Sequence, residues 1–537
     1  MLPLTRSSVS RFAAVVLTAC VVSSVSPQTV QAQMPAFRQA VAEYASDDRE
    51  LARFYRESGF GAVWTGEGEE HLARRKALIS ALQGAASHGL PTERYDVDAL
   101  IAQMRAAKTP RDRGMLDVAL SKAYLRYARD LQSGIVKPSS IDEGVVRKVK
   151  FRDRAENMAD LVNGNPAAVM QNLPPQSHEY IRLRKEMLRL QGLLARGGWG
   201  ETVPGKKLEP GDRGASVVKL RNRLMRMGYL DRSATMVYDK QIEAAVQLFQ
   251  DDHGLETDGV VGASTLSEIN VPVEQRLHSV MVAMERERWL PHERGQRHVL
   301  VNLTDFTAKI VDDGKVTFET RSVVGMNQHD RRSPEFSDVM EHMVVNPTWN
   351  VPRSIAVKEY LPMLQKDPNA VSHLRLTDAR GQLVNRGEVD FTQFDKRNFP
   401  FDMKQPPSRR NALGLVKFMF PNPQNVYLHD TPAKSLFARE TRAFSHGCIR
   451  LQDPFEFAYA LLARQSDDPQ GQFHSVLKTG RETKIDLEQH IPVHIIYRTA
   501  TVPAKGKAHY RRDVYGRDGR IWKALEQAGV VLDAVRG

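Results

Sequence analysis

The apolar period of this 537-residue chain changes near residue 297, and that change divides what the chain can fold into. Upstream, apolar residues recur at helical spacing, as in Leu51-Ala52-Arg53-Phe54-Tyr55 and Ala119-Leu120-Ser121-Lys122-Ala123-Tyr124-Leu125. Downstream, short strand-like runs take over at 298–303, 308–311, 316–318, 321–325, 344–347 and 426–429. Asp313-Gly314 lies between two of these runs and predicts a hairpin. The chain is too long for one core. Helices first and strands second predict a multidomain α+β protein whose β domain occupies the C-terminal half.

Glycine and proline mark finer divisions. Breaks at Gly89-Leu90-Pro91, Lys137-Pro138 and Leu173-Pro174-Pro175 punctuate the helical region, and Gly197-Gly198-Trp199-Gly200 through Pro204-Gly205 closes it. Residues 33–203 therefore read as a helical scaffold with no evident catalytic constellation. Residues 204–275 form a compact unit. An amphipathic helix around Val217, Leu220 and Leu224 is followed by a second carrying Ala244, Ala245, Val246, Phe249 and Gln250. Glycine loops at His253-Gly254-Leu255 and Asp258-Gly259 precede Gly262-Ala263-Ser264-Thr265-Leu266. This pattern resembles the small three-helix peptidoglycan-binding module of bacterial wall enzymes. Residues 276–502 are the mainly β domain, interrupted by a long charged stretch at 354–412. An insertion of that length predicts a lid or binding loop. Residues 503–537 read as a basic extension with a short helix from about Arg520.

The N-terminus has the layout of an export signal. Arg6 and Arg11 flank the start of an apolar run from Phe12 to about Val25, and Val30-Gln31-Ala32 offers a small-residue cleavage site. Residues 1–32 are thus expected to be removed. Leu17-Thr18-Ala19-Cys20 also resembles a lipobox, yet Val21 and Val22 continue the apolar run, and soluble export is the preferred reading. No later segment reaches membrane-spanning length. The formal charge of +12 suits nucleic acid, anionic lipid or an acidic wall polymer. Export favours the last two, so a location beyond the cytoplasmic membrane is expected and a nucleic-acid partner is not.

Export makes the cysteine count informative. Cys20 lies in the signal, which leaves Cys448 with nothing to pair with. A free thiol in an oxidising compartment points to a reactive role. A thiol nucleophile needs a base and fixed donors for an oxyanion. His429, at the end of a strand-like run, is the preferred base, and His446 is read as a group that supports the reacting residues or contacts substrate. Asp430, through its carboxylate or its backbone carbonyl, is placed to hold the other ring nitrogen of His429. The N–H groups of Gly447 and Cys448 are the expected oxyanion donors. Arg450 is a cation for a substrate carboxylate, or an ion-pair partner within the fold. His429, His446 and Cys448 lack the tight paired spacing of zinc ligands, so no metal or other cofactor is expected.

The run Ser445-His446-Gly447-Cys448-Ile449-Arg450-Leu451, with His429-Asp430-Thr431-Pro432 upstream, resembles the active site of the L,D-transpeptidases, and more narrowly their large Gram-negative branch. Asn346-Pro347-Thr348-Trp349-Asn350-Val351-Pro352 and Asn411-Ala412-Leu413-Gly414-Leu415-Val416-Lys417-Phe418 support the resemblance, as does the order of the domains. It implies cell-wall chemistry on peptidoglycan stem peptides, and for a Gram-negative family the location beyond the cytoplasmic membrane is the periplasm. Cys448 would attack the carbonyl joining the third stem residue to a terminal D-alanine, releasing D-alanine and leaving a thioester. The side-chain amine of diaminopimelate on a second stem would resolve it as a 3→3 cross-link. His429 would be the base, the backbone carbonyl of Asp430 its orienter, and 354–412 a substrate cap. Ser445, His446, Arg450, Asn411 and Tyr427 would contact substrate. Carbapenem acylation of Cys448 is implied as well. Ser408 stands where that branch has glycine. Resolution by water, or by an amine of an envelope protein, would divert the same thioester to carboxypeptidase activity or to protein attachment. The reading from another class is a wall-binding protein without catalysis.

Overall fold

The computed structural model describes residues 36–291 and 294–532; the expected export signal, Cys20 included, lies outside them. From Ala36 to Ala195 the chain is mostly helical. The longest helix, Pro110–Ser133, starts on a reciprocal cap: the Thr109 hydroxyl accepts from Asp112 N–H, and the Asp112 carboxylate accepts from Thr109 N–H. Its apolar stripe, Leu116, Leu120, Tyr124, Leu131, shares one core with Leu51, Tyr55, Trp64, Leu78 and Leu82. Asp117 is buried in that core, where it accepts hydrogen bonds from Tyr55 and from the backbone of Val63, Trp64 and Thr65. It is a satisfied structural acid.

Helices Ala215–Met227, Lys240–Asp252 and Ala263–Ile269 enclose a second core of Val217, Leu220, Leu224, Val246 and Phe249. Gln250 ties the middle helix to the glycine loop. Its amide donates to Asp258 and to the Val260 carbonyl, and its own carbonyl accepts from Gly259 N–H.

The helix Val273–Trp289 comes next, and the domain boundary expected at 275/276 falls inside it. This helix is a hub, buried over most of its surface. Glu285 accepts from Ile135 and Val136 N–H of the helical region at 2.7 and 3.1 Å. Arg286 pairs with Glu335 of the β domain and, at 3.0 Å, with Asp518 near the C-terminus.

The strands are β1 (Arg297–Asn302), β2 (Thr307–Asp312), β3 (Lys315–Gly325), β4 (Phe336–Val345), β5 (Trp349–Asn350), β6 (Arg375–Thr377), β7 (Asp402–Gln405), β8 (Val416–Met419), β9 (Leu428–His429), β10 (Ala443–Ser445), β11 (Ile449–Leu451), β12 (Thr483–Ile496), β13 (Ala500–Thr501) and β14 (His509–Tyr510). The expected hairpin is the β2–β3 turn, where Asp313 and Gly314 have φ of 48° and 77°. The runs at 316–318 and 321–325 merge into the single strand β3. Nine strands form one sheet in the order β10-β3-β11-β9-β8-β4-β12-β1-β2, and β2 pairs back onto β3. The sheet therefore closes on itself around Val299, Val301, Ile310, Val345, Phe418, Leu428, Ile449 and Leu451.

The insertion after β5 is an ordered subdomain. Its sheet β5-β7-β6 packs with Leu361, Leu364, Leu374, Phe391, Phe399 and Met403 in a core of its own. Ser408 has an ordinary backbone conformation there, and its carbonyl accepts from Asn411 N–H at 3.0 Å.

The C-terminal stretch is packed rather than appended, in contrast to the expected basic extension. β13 pairs with β14, and the helix Arg517–Gln527 buries Ile521, Trp522 and Leu525 in one cluster with Leu277, Val280 and Met284 of the hub helix. Its basic character is structural: Arg512 pairs with Glu268, Arg517 with Glu335, and Arg520 with Asp142.

Candidate active site

Alternation along two short strands places the predicted residues on one surface. β9 and β11 run parallel, with Leu428 beside Ile449 and His429 beside Arg450. Leu428, Ile449 and Leu451 point into the core, so Tyr427, His429, Cys448 and Arg450 share the opposite face. On the next strand Phe418 pairs with Leu428 and Lys417 with His429, which brings Lys417 to the same face.

Cys448 sits just past a tight reversal. β10 runs parallel to β3 and β11 antiparallel to it, so the chain turns back between Ser445 and Ile449. Gly447 makes the turn at φ +116°, a conformation an L side chain rarely adopts. The Ser445 hydroxyl accepts from Gly447 N–H at 3.1 Å and donates to the Cys448 carbonyl at 2.5 Å. The Ser333 hydroxyl donates to the Gly447 carbonyl at 2.6 Å.

The thiol is half-buried and points at the Asn425 carbonyl, 3.6 Å away. Burial pushes its pKa up; the Tyr427 N–H and hydroxyl, then the charges of Arg450 and Lys417, pull the other way. His429 is buried, and its Nδ1 bonds to the Asp430 carbonyl at 2.5 Å. Burial, and after it the charge of Arg450, pushes the imidazole pKa down to about 3, against the Asp430 and Leu413 carbonyls, which favour the cation. At neutral pH the pair is thus a thiol and a neutral imidazole. His429 lies two residues beyond Tyr427, their ring centroids 5.6 Å apart, and makes no hydrogen bond to Cys448 among the described residues.

Of the two groups Asp430 offers, the carbonyl takes His429. Its carboxylate accepts from Leu415 N–H at 2.9 Å and pairs with Lys434 at 2.9 Å. Arg450 and Lys417 are half-buried cations that touch no carboxylate among the described residues, and burial lowers the pKa of both. His446 is engaged by the cap: its Nε2 meets Glu359 at 2.7 Å, and Glu359 also binds Arg331 at 2.6 Å.

Three expected roles change. Gly447 N–H is bound to Ser445, which leaves Cys448 N–H as the donor of the expected pair with no acceptor among the described residues. Ser445 is buried and both contacts of its hydroxyl lie within the loop, so it staples the turn. Asn411 is fully buried. Its Nδ2 donates among the Pro347, Gln405 and Pro406 carbonyls and its Oδ1 accepts from Leu413 N–H, so it anchors the return from cap to barrel. Lys417, Ser333, Asn425 and Glu359 escaped the sequence reading. Lys417 alone carried a signal, as a cation between the apolar Val416 and Phe418 of a strand.

A cleft of about 640 Å³ opens onto Cys448. Gln424, Asn425 and His446 line it on the barrel side, while Asp142 of the helical region and Arg520 of the C-terminal helix also line it. Among the described residues no cluster of His, Cys, Asp or Glu is arranged to hold a metal ion.

Three family models match the chain. Residues 49–187 match a scaffold domain, residues 213–269 a "Putative peptidoglycan binding domain", and residues 296–479 an L,D-transpeptidase catalytic domain. A Haemophilus influenzae protein named "Putative L,D-transpeptidase" is 31% identical over 225 residues, which are 42% of this chain and 45% of that protein. The match thus spans under half of that relative. Among solved structures, an L,D-transpeptidase from Xylanimonas cellulosilytica is similar at 15% identity over 55% of this chain and 100% of that one, with a TM-score of 0.17. One from Stackebrandtia nassauensis is similar at 16% identity over 55% and 97%, with a TM-score of 0.22.

Proposed function

We propose that this chain, which carries an L,D-transpeptidase catalytic domain behind a scaffold domain and a peptidoglycan-binding domain, is a cysteine-dependent peptidoglycan transpeptidase that forms 3→3 cross-links. The observation that carries the reading is the shared face of β8, β9 and β11, with a thiol, a neutral imidazole and, beside them, two cations that have no carboxylate partner among the described residues.

In the first step the Cys448 sulfur attacks the carbonyl that joins the third stem residue to terminal D-alanine. The thiol proton passes to His429, which is neutral at rest and whose imidazolium is favoured, against burial, by the negative charge left on the sulfur. The Asp430 and Leu413 carbonyls favour the imidazolium so formed. Cys448 N–H donates to the oxyanion. The C–N bond breaks, the departing amine takes the proton from His429, and a thioester remains. Arg450 and Lys417 bind the carboxylate of the leaving D-alanine. In the second step a diaminopimelate side-chain amine from another stem loses a proton to His429, attacks the thioester and expels the sulfur, which is reprotonated. The cap, linked to the loop through Glu359 and His446, covers the donor stem. The binding module keeps the enzyme on its polymer, in the periplasm. Among the described residues no helix is long and apolar enough to cross a membrane.

Incubation with disaccharide-tetrapeptide and analysis of the products by mass tests the proposal. A 3→3 dimer that vanishes with Cys448→Ala is expected. Tripeptide without dimer assigns the second step to water, and a product formed equally well by Cys448→Ala removes the thiol from the mechanism.

A further inference from the structure

The peptide that joins Gly447 to Cys448 carries both the carbonyl bound by Ser333 and the Cys448 N–H, which has no acceptor among the described residues. A trans peptide is planar, so its C=O and N–H point in opposite directions and fixing one fixes the other. The Ser333 hydroxyl holds the Gly447 carbonyl at 2.6 Å and accepts from Gly325 N–H at 2.9 Å, so its orientation is defined at both ends. Ser333 is fully buried. Ser445 holds the peptides on either side of this one, and glycine at 447 leaves the peptide between them a wider range of backbone angles than another residue would.

Ser333 is in turn held from the C-terminal segment. The Tyr515 hydroxyl donates to the Gly325 carbonyl at 2.5 Å and lies 3.4 Å from Ser333 N–H. Arg517, fully buried, donates to the Ser333 carbonyl at 3.0 Å and stacks against the Tyr515 ring with 4.9 Å to its centroid. There is no slack between the two loop segments. A Cβ on Gly325 would lie 2.0 Å from the Arg331 carbonyl oxygen and 2.6 Å from Ser333 N.

We infer that Ser333 and Tyr515 are positioning residues that aim Cys448 N–H at the oxyanion, so that residues 510–520 belong functionally to the catalytic centre although they lie outside the matched catalytic domain at 296–479. This inference rests on the proposal that Cys448 performs acyl transfer.

Two reactions of one thiol separate the roles. Acyl transfer develops an oxyanion, whereas alkylation by iodoacetamide does not. Removing one oxyanion donor costs an enzyme about 100- to 1,000-fold in kcat, and a donor left in place but free to turn costs less, about 10- to 100-fold. Ser333→Ala is expected to lower kcat for D-alanine release by about 10- to 100-fold, with KM, the iodoacetamide rate and its pH profile unchanged. Tyr515→Phe keeps the packed ring and removes the hydroxyl, and about a tenfold loss in the same single parameter is expected. Circular dichroism melting of each variant reports whether the fold is retained. Folded variants of both kinds that release D-alanine at the wild-type rate overturn the positioning role. A loss that appears equally in alkylation also overturns it, since the defect would then lie in the thiol. Wild-type protein that alkylates but never releases D-alanine overturns the acyl-transfer reading instead.

Discussion

Tyr427 flanks Cys448 across the β9–β11 pair: each lies one residue before the paired Leu428 and Ile449, and Ile449 N–H binds the Tyr427 carbonyl at 3.1 Å. The Tyr427 hydroxyl favours the thiolate, and the sulfur in turn pushes the tyrosine pKa well up, after burial as the main cause. Tyr427 shares the strand face of Cys448, and its hydroxyl is on the side that favours charge on the sulfur. Tyr427→Phe should slow D-alanine release by about tenfold, the scale of one hydrogen bond to a charged group. It should also move the pH profile of iodoacetamide alkylation upward. An unmoved profile would remove Tyr427 from the thiol's environment.

The resting thiol and imidazole are both neutral, because burial opposes charge on each. A preformed thiolate–imidazolium pair would alkylate readily at pH 6. Here alkylation of the wild-type protein should be slow at neutral pH and rise through an inflection above the ordinary thiol range of about 8.5. An inflection between pH 5 and 7, read from rates of iodoacetamide labelling, contradicts this.

Arg450 and Lys417 predict recognition of a substrate carboxylate. A charge-assisted hydrogen bond of about 1.5–3 kcal/mol corresponds to roughly 10- to 150-fold in kcat/KM. Replacing the terminal carboxylate of the tetrapeptide by an amide should cost wild-type protein that much. Lys417→Met and Arg450→Met should each weaken turnover of the acid while bringing acid and amide closer together. Equal discrimination by wild type and both variants would assign the cations to the fold.

The sequence made the architecture legible where one period held over many residues. The helical stripe around Leu120 and Tyr124, the Asp313-Gly314 turn and the glycine loop tied by Gln250 are all local features. The face shared by Cys448, His429 and Arg450 was legible only in part, because β9 and β11 are two and three residues long and show no period. What escaped depends on contacts between distant segments. Ser333 and Tyr515 are 182 residues apart, and Glu359 reaches His446 across 87. The resemblance implies substrate contact for Asn411 and Ser445. Their burial, and the backbone groups that engage them, follow from the turns they close. The C-terminal arginines look like a basic tail in the sequence because their partners Asp142, Glu268 and Glu335 lie 378, 244 and 182 residues away.

Buried neutral histidines make this fold less stable in acid. His429 titrates at about 3 in the folded chain against an ordinary value near 6.5, chiefly through burial; His88 is likewise held at about 3 and His494 at about 4. Between the two values the unfolded chain binds a proton that the folded chain does not. Stability is therefore fully present above about pH 6.5 and declines as pH falls toward 3. At pH 5 the loss from His429 alone is about 2 kcal/mol, at about 1.4 kcal/mol per unit over 1.5 units. The urea midpoint should drop between pH 7.5 and pH 5. His429→Gln and His88→Gln, whatever they do to stability at pH 7.5, should each make that drop shallower by about one proton's worth. A midpoint that falls as steeply in both variants as in the wild type would show that these imidazoles are already charged in the folded protein.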